Sequence, residues 1–178
     1  MDDYLFAYRK GNTFDLPALF NDDYLRAVKL LWNNKYYVSA MKLLMSAVDT
    51  FGYLEHGNMQ SSFQAWLNEY ADLGKLGVTA DELWELRNSL LHMTNLDSRR
   101  VASGKVRRLM FYVGHLPDGF PPSDEDATYL GMWQLIQCVA QAMGAYCNSF
   151  NLNPAKSGKF IERYDLVISD VRYIEFDV

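Results

Sequence analysis

Cysteine is scarce: the 178 residues hold two, Cys138 and Cys147, inside one helical stretch. Their spacing suits neither a disulfide framework nor a metal knuckle, and they read as small core residues. Histidine is nearly as rare. His56, His92 and His115 are the full set, and none stands at zinc spacing from another ligand. H-E-x-x-H, C-x-x-C and EF-hand loops are missing, as are the G-x-G-x-x-G, Walker and G-x-S-x-G patterns. Metal hydrolase, nucleotide-dependent enzyme and serine hydrolase chemistry therefore lack support, and neither metal nor cofactor is expected.

Positive charge is also in deficit. Lys and Arg number 17 against 22 Asp and Glu, for a formal net charge of −5 and a pI near 5.1. A protein that coats nucleic acid by bulk charge is normally basic, so any such contact here is expected to be local. The start, MDDYLFAYRKGN, has no apolar leader, which predicts a cytoplasmic location. No internal repeat and no low-complexity segment is present, so solenoids and arrays are excluded.

One stretch lacks charge altogether. Residues 127–155 contain no Asp, Glu, Lys, Arg or His, and LGMWQLIQCVAQAMGAYC at 130–147 is long enough to span a bilayer. Gln134, Gln137, Gln141 and Asn148, however, fall on one stripe. Amides in a row are costly in hydrocarbon, so the expectation is a central helix buried on most sides, with no membrane partner.

Apolar residues, by contrast, are plentiful at 49%, with 15% aromatic, which is enough for one well-filled core. The fold class expected is mainly α: an up-and-down helical bundle with a small antiparallel β element, in a single domain over 1–178. Within it, 1–20 form an N-terminal arm, 21–93 and 123–150 the bundle, 94–122 an insertion, and 159–178 a C-terminal β-hairpin. Asn21 or Asp22 can cap a helix carrying Tyr24, Leu25, Val28, Leu31 and Trp32. Tyr37, Met41, Leu44, Val48 and Phe51 keep helical rhythm until Gly57. Ser61 or Ser62 opens a shorter helix, and Thr79 with Glu82 makes a capping box for the next. Ser123 with Asp126 offers a second box, starting the uncharged helix. VRRLMFYVG at 106–114 and the β-branched C-terminal run would pair as strands.

The chemistry concentrates in DELWELRNSLLHM, residues 81–93. Projected as a regular helix, Leu83, Leu86, Leu90 and Met93 share an apolar face, and Arg87 falls within that arc. An arginine directed into apolar surroundings needs a carboxylate, a phosphate or a subunit boundary to receive it. Asp49 and Glu55, on the preceding long helix, are the candidate supporting acids. Asn88 and His92, four apart, share the neighbouring face.

Arg87-Asn88-x-x-x-His92 resembles the R-(polar)-x3-H motif of HEPN domains, and the order of helices over residues 21–150 is similar. The resemblance implies metal-independent RNA cleavage, as in many members, with the motif helices of a homodimer lining one cleft. It places His92 in proton transfer as a ribose 2′-OH attacks phosphate, Arg87 on the phosphate charge, and Asn88 beside it. It further implies the toxin or effector half of a defence or toxin–antitoxin pair, with an antitoxin or a nucleotidyltransferase as partner. One toxin subgroup carries Tyr two residues after the His; here that position is Thr94. The physical logic also stands without the family: histidine exchanges protons near neutral pH, and an arginine fork matches phosphate oxygens.

Arg99, Arg100, Lys105, Arg107 and Arg108 crowd the segment after the motif, with Phe111, Tyr112 and His115 close behind. This strip is the candidate RNA-binding surface. Two other readings compete with a ribonuclease: a non-catalytic HEPN-like module binding RNA, a nucleotide or a protein, and a structural helical domain with a fortuitous motif.

Overall fold

Asp15 begins the first helix by accepting a hydrogen bond from the Ala18 amide at 3.2 Å. The computed structural model describes residues 7–11, 13–93, 98–121, 123 and 127–168. Ahead of Asp15, β1 (Arg9–Lys10) and β2 (Thr13–Phe14) form a short antiparallel pair. Helix α1 (Leu16–Phe20) widens through a π-helical turn, Asn21–Leu25, and continues as α2 (Arg26–Asn33). The expected arm is thus helical from Leu16, and Leu19 and Phe20 are fully buried.

Helix α3 (Tyr37–His56) follows the expected rhythm and stops at Gly57, whose φ of 71° favours a residue without Cβ. Helix α4 (Ser62–Tyr70) packs its start against α3 at Gly52, where an added Cβ would lie 2.7 Å from the Ser62 carbonyl oxygen. Helix α5 (Ala80–Asn88) carries the complete Thr79–Glu82 capping box. It then opens into a π-helical turn at Ser89–Met93, so the regular projection of 81–93 holds only to Asn88.

Three expectations past the motif change. The strand-like run forms β3 (Arg108–Tyr112), after a short α6 (Arg99–Ala102). Its partner is β4 (Ala127–Gly131), and the two run parallel in register Arg108↔Ala127 to Tyr112↔Gly131. The expected antiparallel pairing with a C-terminal hairpin is therefore corrected. Ala-Thr-Tyr-Leu-Gly suits a short buried strand, so the uncharged helix α7 begins at Met132, not Ser123, and ends at Leu152. Ser123 forms an isolated bridge with Thr128, and Asp126 of the expected box lies outside the described residues.

The C-terminal run is also helical where it is described: α8 spans Lys156–Ile168. Phe160 and Tyr164 lie four apart and both are buried, a helical spacing that outweighs the β propensity of the segment. Residues 169–178, the rest of the expected hairpin, lie outside the described residues.

The core is a knot of aromatic rings. Phe20 stacks on Tyr146 at 5.8 Å and meets Phe51 at 5.0 Å and Phe160 at 5.7 Å. Trp66 meets Tyr146 edge-on at 6.0 Å. Each such ring contributes roughly 1.5–3 kcal/mol by leaving water, so α1, α3, α4, α7 and α8 are held by one cluster. Arg163 ties α8 to α3 by donating to the Leu54 and Glu55 carbonyls at 2.8 and 2.6 Å, satisfying a helix C-terminus.

Helix α7 is more open than expected. Its apolar side is buried, but Gln134, Gln137, Gln141 and Asn148 all face solvent. The amide stripe is a wetted face and needs no buried partner. Among the described residues, no helix is long and apolar enough to cross a membrane. Both cysteines are free and buried, and burial pushes the Cys147 thiol up to about 12.

Candidate functional site

Arg87 leaves the last turn of α5 and crosses to α3. Its Nε donates to Asp49 Oδ2 at 2.6 Å, and a terminal nitrogen reaches the same oxygen at 2.5 Å. The other terminal nitrogen donates to Asn88 Oδ1 at 2.9 Å, and the guanidinium lies 5.0 Å from the Trp84 ring centre. The side chains of Arg87 and Asp49 keep 17% and 28% exposure, so the pair sits at the boundary between core and water. Charge-assisted bonds in such a place fix orientation more firmly than surface pairs do.

This arrangement brings together three of the expected site residues: Arg87, Asn88 and Asp49. Glu55 is elsewhere. Its carboxylate pairs with Lys156 at 2.7 Å, on the side of α3 that meets α8. His92 lies in the π-helical turn that follows Asn88, and its side chain is outside the described residues. Bonding of the i→i+5 kind widens a turn, and such turns are frequent at functional sites. It also brings backbone position 92 closer above position 87 than regular α geometry would. Ser89 steadies the start of the turn, with its hydroxyl donating to the Glu85 carbonyl at 2.9 Å.

Two of the five cations in the basic strip, Arg100 and Arg107, turn to the motif helix. Arg100 reaches Asp81 at 3.1 Å and Glu85 at 3.2 Å, and Arg107 Nε donates to Glu82 at 2.7 Å. The hydrogen bond to Asp81 comes first in holding the Arg100 guanidinium above its ordinary pKa. Arg99 and Lys105 are exposed, whereas Arg108 is half-buried in β3. His115 and the loop around it are exposed, and Phe111 packs on the core. Arg100 and Arg107 therefore strap α6 and the start of β3 to α5, and their charge is met by Asp81, Glu85 and Glu82.

Sequence reasoning missed two features. Glu82 and Glu85 are 4% and 5% exposed, buried acids that receive Arg107 and Arg100 of the strip. The capping box pointed to Glu82 only as a helix start. The second feature is Lys156, which joins Glu55, Tyr70 at 3.0 Å and Ser149 at 2.8 Å beside a cavity of about 430 Å³. Its partners come from α3, α4 and α7, so no local spacing could reveal it.

Among the described residues, no group of three or more His, Cys, Asp or Glu could hold a metal ion. No protein-family model matches the chain, and no curated protein or solved structure does. The site must be read from its own chemistry.

Proposed function

We propose that this chain is a HEPN-like, metal-independent endoribonuclease, serving as the toxin or effector of a defence or toxin–antitoxin system. The observation that carries the reading is the Arg87–Asp49–Asn88 clamp, set at the mouth of the π-helical turn that holds His92. Asp49 is a positioning residue: it orients the guanidinium and keeps it beside Asn88. Arg87 then faces the phosphate and stabilises charge that develops on its oxygens. His92 takes the proton of the ribose 2′-OH as that oxygen attacks phosphorus. Protonated His92 then gives that proton up to the departing 5′-oxygen, leaving a 2′,3′-cyclic phosphate and a 5′-hydroxyl.

A homodimer completes the scheme, because a two-fold axis brings two such clamps around one cleft without further sequence. A cognate antitoxin or a nucleotidyltransferase would be the expected heterologous partner. Purified protein with EDTA present should cut RNA, and His92→Ala should lose at least about 10²-fold in rate. Unchanged cleavage by His92→Ala would end the assignment.

The ion pair itself favours one alternative. Asp49 neutralises Arg87, as a purely architectural pair would. In that case the chain is a non-catalytic HEPN-like module that binds RNA, a nucleotide or a protein partner. RNA that raises thermal stability without being cut would identify it.

A further inference from the structure

With Arg100 and Arg107 of the strip paired to α5, a nucleic-acid backbone needs further positive charge. One region supplies it. Residues 24–48 contain Arg26, Lys29, Lys35 and Lys42 and no acidic side chain, in a chain whose net charge is −5. The facing helix α7 is uncharged throughout. Arg26, Lys29 and Lys35 are all exposed, and among the described residues their one ion pair is the long 3.9 Å contact of Arg26 with Asp22. Arg26 and Lys29, with Asn21, Leu30 and Asn33, line an open groove of about 400 Å³ along α2.

The same corner carries exposed rings. Trp32 sits between Tyr37 at 5.0 Å and Trp133 of α7 at 5.4 Å. Trp133 is 39% exposed, Tyr36 63%, and Leu30 and Val38 64% each. Large apolar groups at such exposure, clustered at one corner and ringed by cations, mark a binding surface. From Tyr37 the solvent-facing stripe of α3 passes Ser39, Lys42 and Ser46 to Asp49, a rise of about 18 Å at 1.5 Å per residue. It ends at the Arg87 clamp.

We propose that the α2–α3 corner with the start of α7 binds single-stranded nucleic acid, its bases stacking on Tyr36, Trp32 and Trp133 and its phosphates meeting Arg26, Lys29, Lys35 and Lys42. Aromatic faces beside a run of cations are the common plan of single-strand binding, since every base offers a π-face. A second copy of this chain fits less well, because a two-fold contact here would set like charges against one another. An anionic membrane fits less well too. The surface is a helix end, a turn and a helix start, not one long amphipathic helix.

The inference does not rest on cleavage, and its test avoids cleavage. A fluorescent 12-nucleotide oligo-deoxythymidine has no 2′-OH to attack, so binding is read without turnover. The wild-type chain should bind it with quenching of tryptophan emission. Four phosphate contacts give a slope of about −3 in log affinity against log salt for a single strand. Arg26→Gln/Lys29→Gln/Lys35→Gln, all exposed, should bring that slope to about −1. Tyr36→Ala/Trp133→Ala should weaken binding about tenfold at fixed salt. If that variant melts early, the charge variant alone decides. The proposal fails if wild type does not bind the oligonucleotide, or if the charge variant keeps the wild-type slope. It fails equally if phosphatidylserine vesicles capture the chain through this corner and the oligonucleotide does not, or if the substitutions abolish a dimer instead.

Discussion

Asp49→Asn isolates the clamp with little change of shape. The substitution leaves Arg87 facing a neutral amide at a distance that was 2.6 Å from carboxylate oxygen. Removing one partner of a fully buried pair costs about 3–5 kcal/mol, and exposed pairs contribute about 0.2–1 kcal/mol. With 17% and 28% side-chain exposure, this pair lies between those limits. Trp84 and Asn88 still hold the guanidinium, so the expected loss is about 2 kcal/mol. For a domain of this size, that is a fall of about 4–8 °C in Tm. Arg87→Gln should cost a similar amount, and the double variant should cost clearly less than the sum. Urea denaturation of the four proteins gives the coupling directly, about 1–2 kcal/mol, shrinking in 1 M salt. A coupling within about 0.3 kcal/mol of zero would refute the clamp, because independent residues add. If Asp49 positions Arg87 for catalysis, Asp49→Asn should also lower kcat more than it raises KM.

Two further outcomes follow from the packing. Gly52→Ala would normally stabilise a helix, but its Cβ would sit 2.7 Å from the Ser62 carbonyl oxygen and 2.9 Å from the Phe63 nitrogen. Destabilisation of about 1–3 kcal/mol is expected in urea, and a gain would show that α3 and α4 are not in this close contact. At Lys156, burial opposes the charge, but hydrogen bonds to Glu55 and Tyr70 outweigh it and hold the pKa above its ordinary value. Its contribution to stability is thus complete below the unfolded-state pKa of about 10.4 and is lost as pH rises through the higher folded value. Lys156→Met should therefore be less stable than wild type by a constant margin from pH 7 to about 10, and the margin should shrink at pH 11. A margin unchanged at pH 11 would contradict the pairing with Glu55.

The parts of this fold that are legible in the sequence are those decided locally. The rhythm of α3, the glycine that ends it and the Thr79–Glu82 box are each set by residues within a turn or two of one another. Asp49 could be named as Arg87's partner because both lie on strongly patterned helices. The errors arise where distant packing decides. Phe160 and Tyr164 become helical because their rings close the cluster around Phe20, which no C-terminal pattern announces. The start of α7 moves to Met132 because residues 127–131 pair with β3, and pairing outweighs a capping signal. Glu55 turns to Lys156, and Arg107 and Arg100 of the basic strip turn to Glu82 and Glu85, in each case across more than ten residues of chain. Charge in a sequence shows what is available to a site; only the fold shows what remains after ion pairs have formed.

The central claim is that the clamp and His92 cleave RNA through the ribose hydroxyl. A DNA oligonucleotide with a single ribonucleotide, incubated with the purified chain in EDTA, tests it most directly. Cleavage only after the ribonucleotide, leaving a 2′,3′-cyclic phosphate and a 5′-hydroxyl, and lost in His92→Ala, is the predicted result. An uncut strand, or cutting that also occurs in all-DNA and survives His92→Ala, would contradict it.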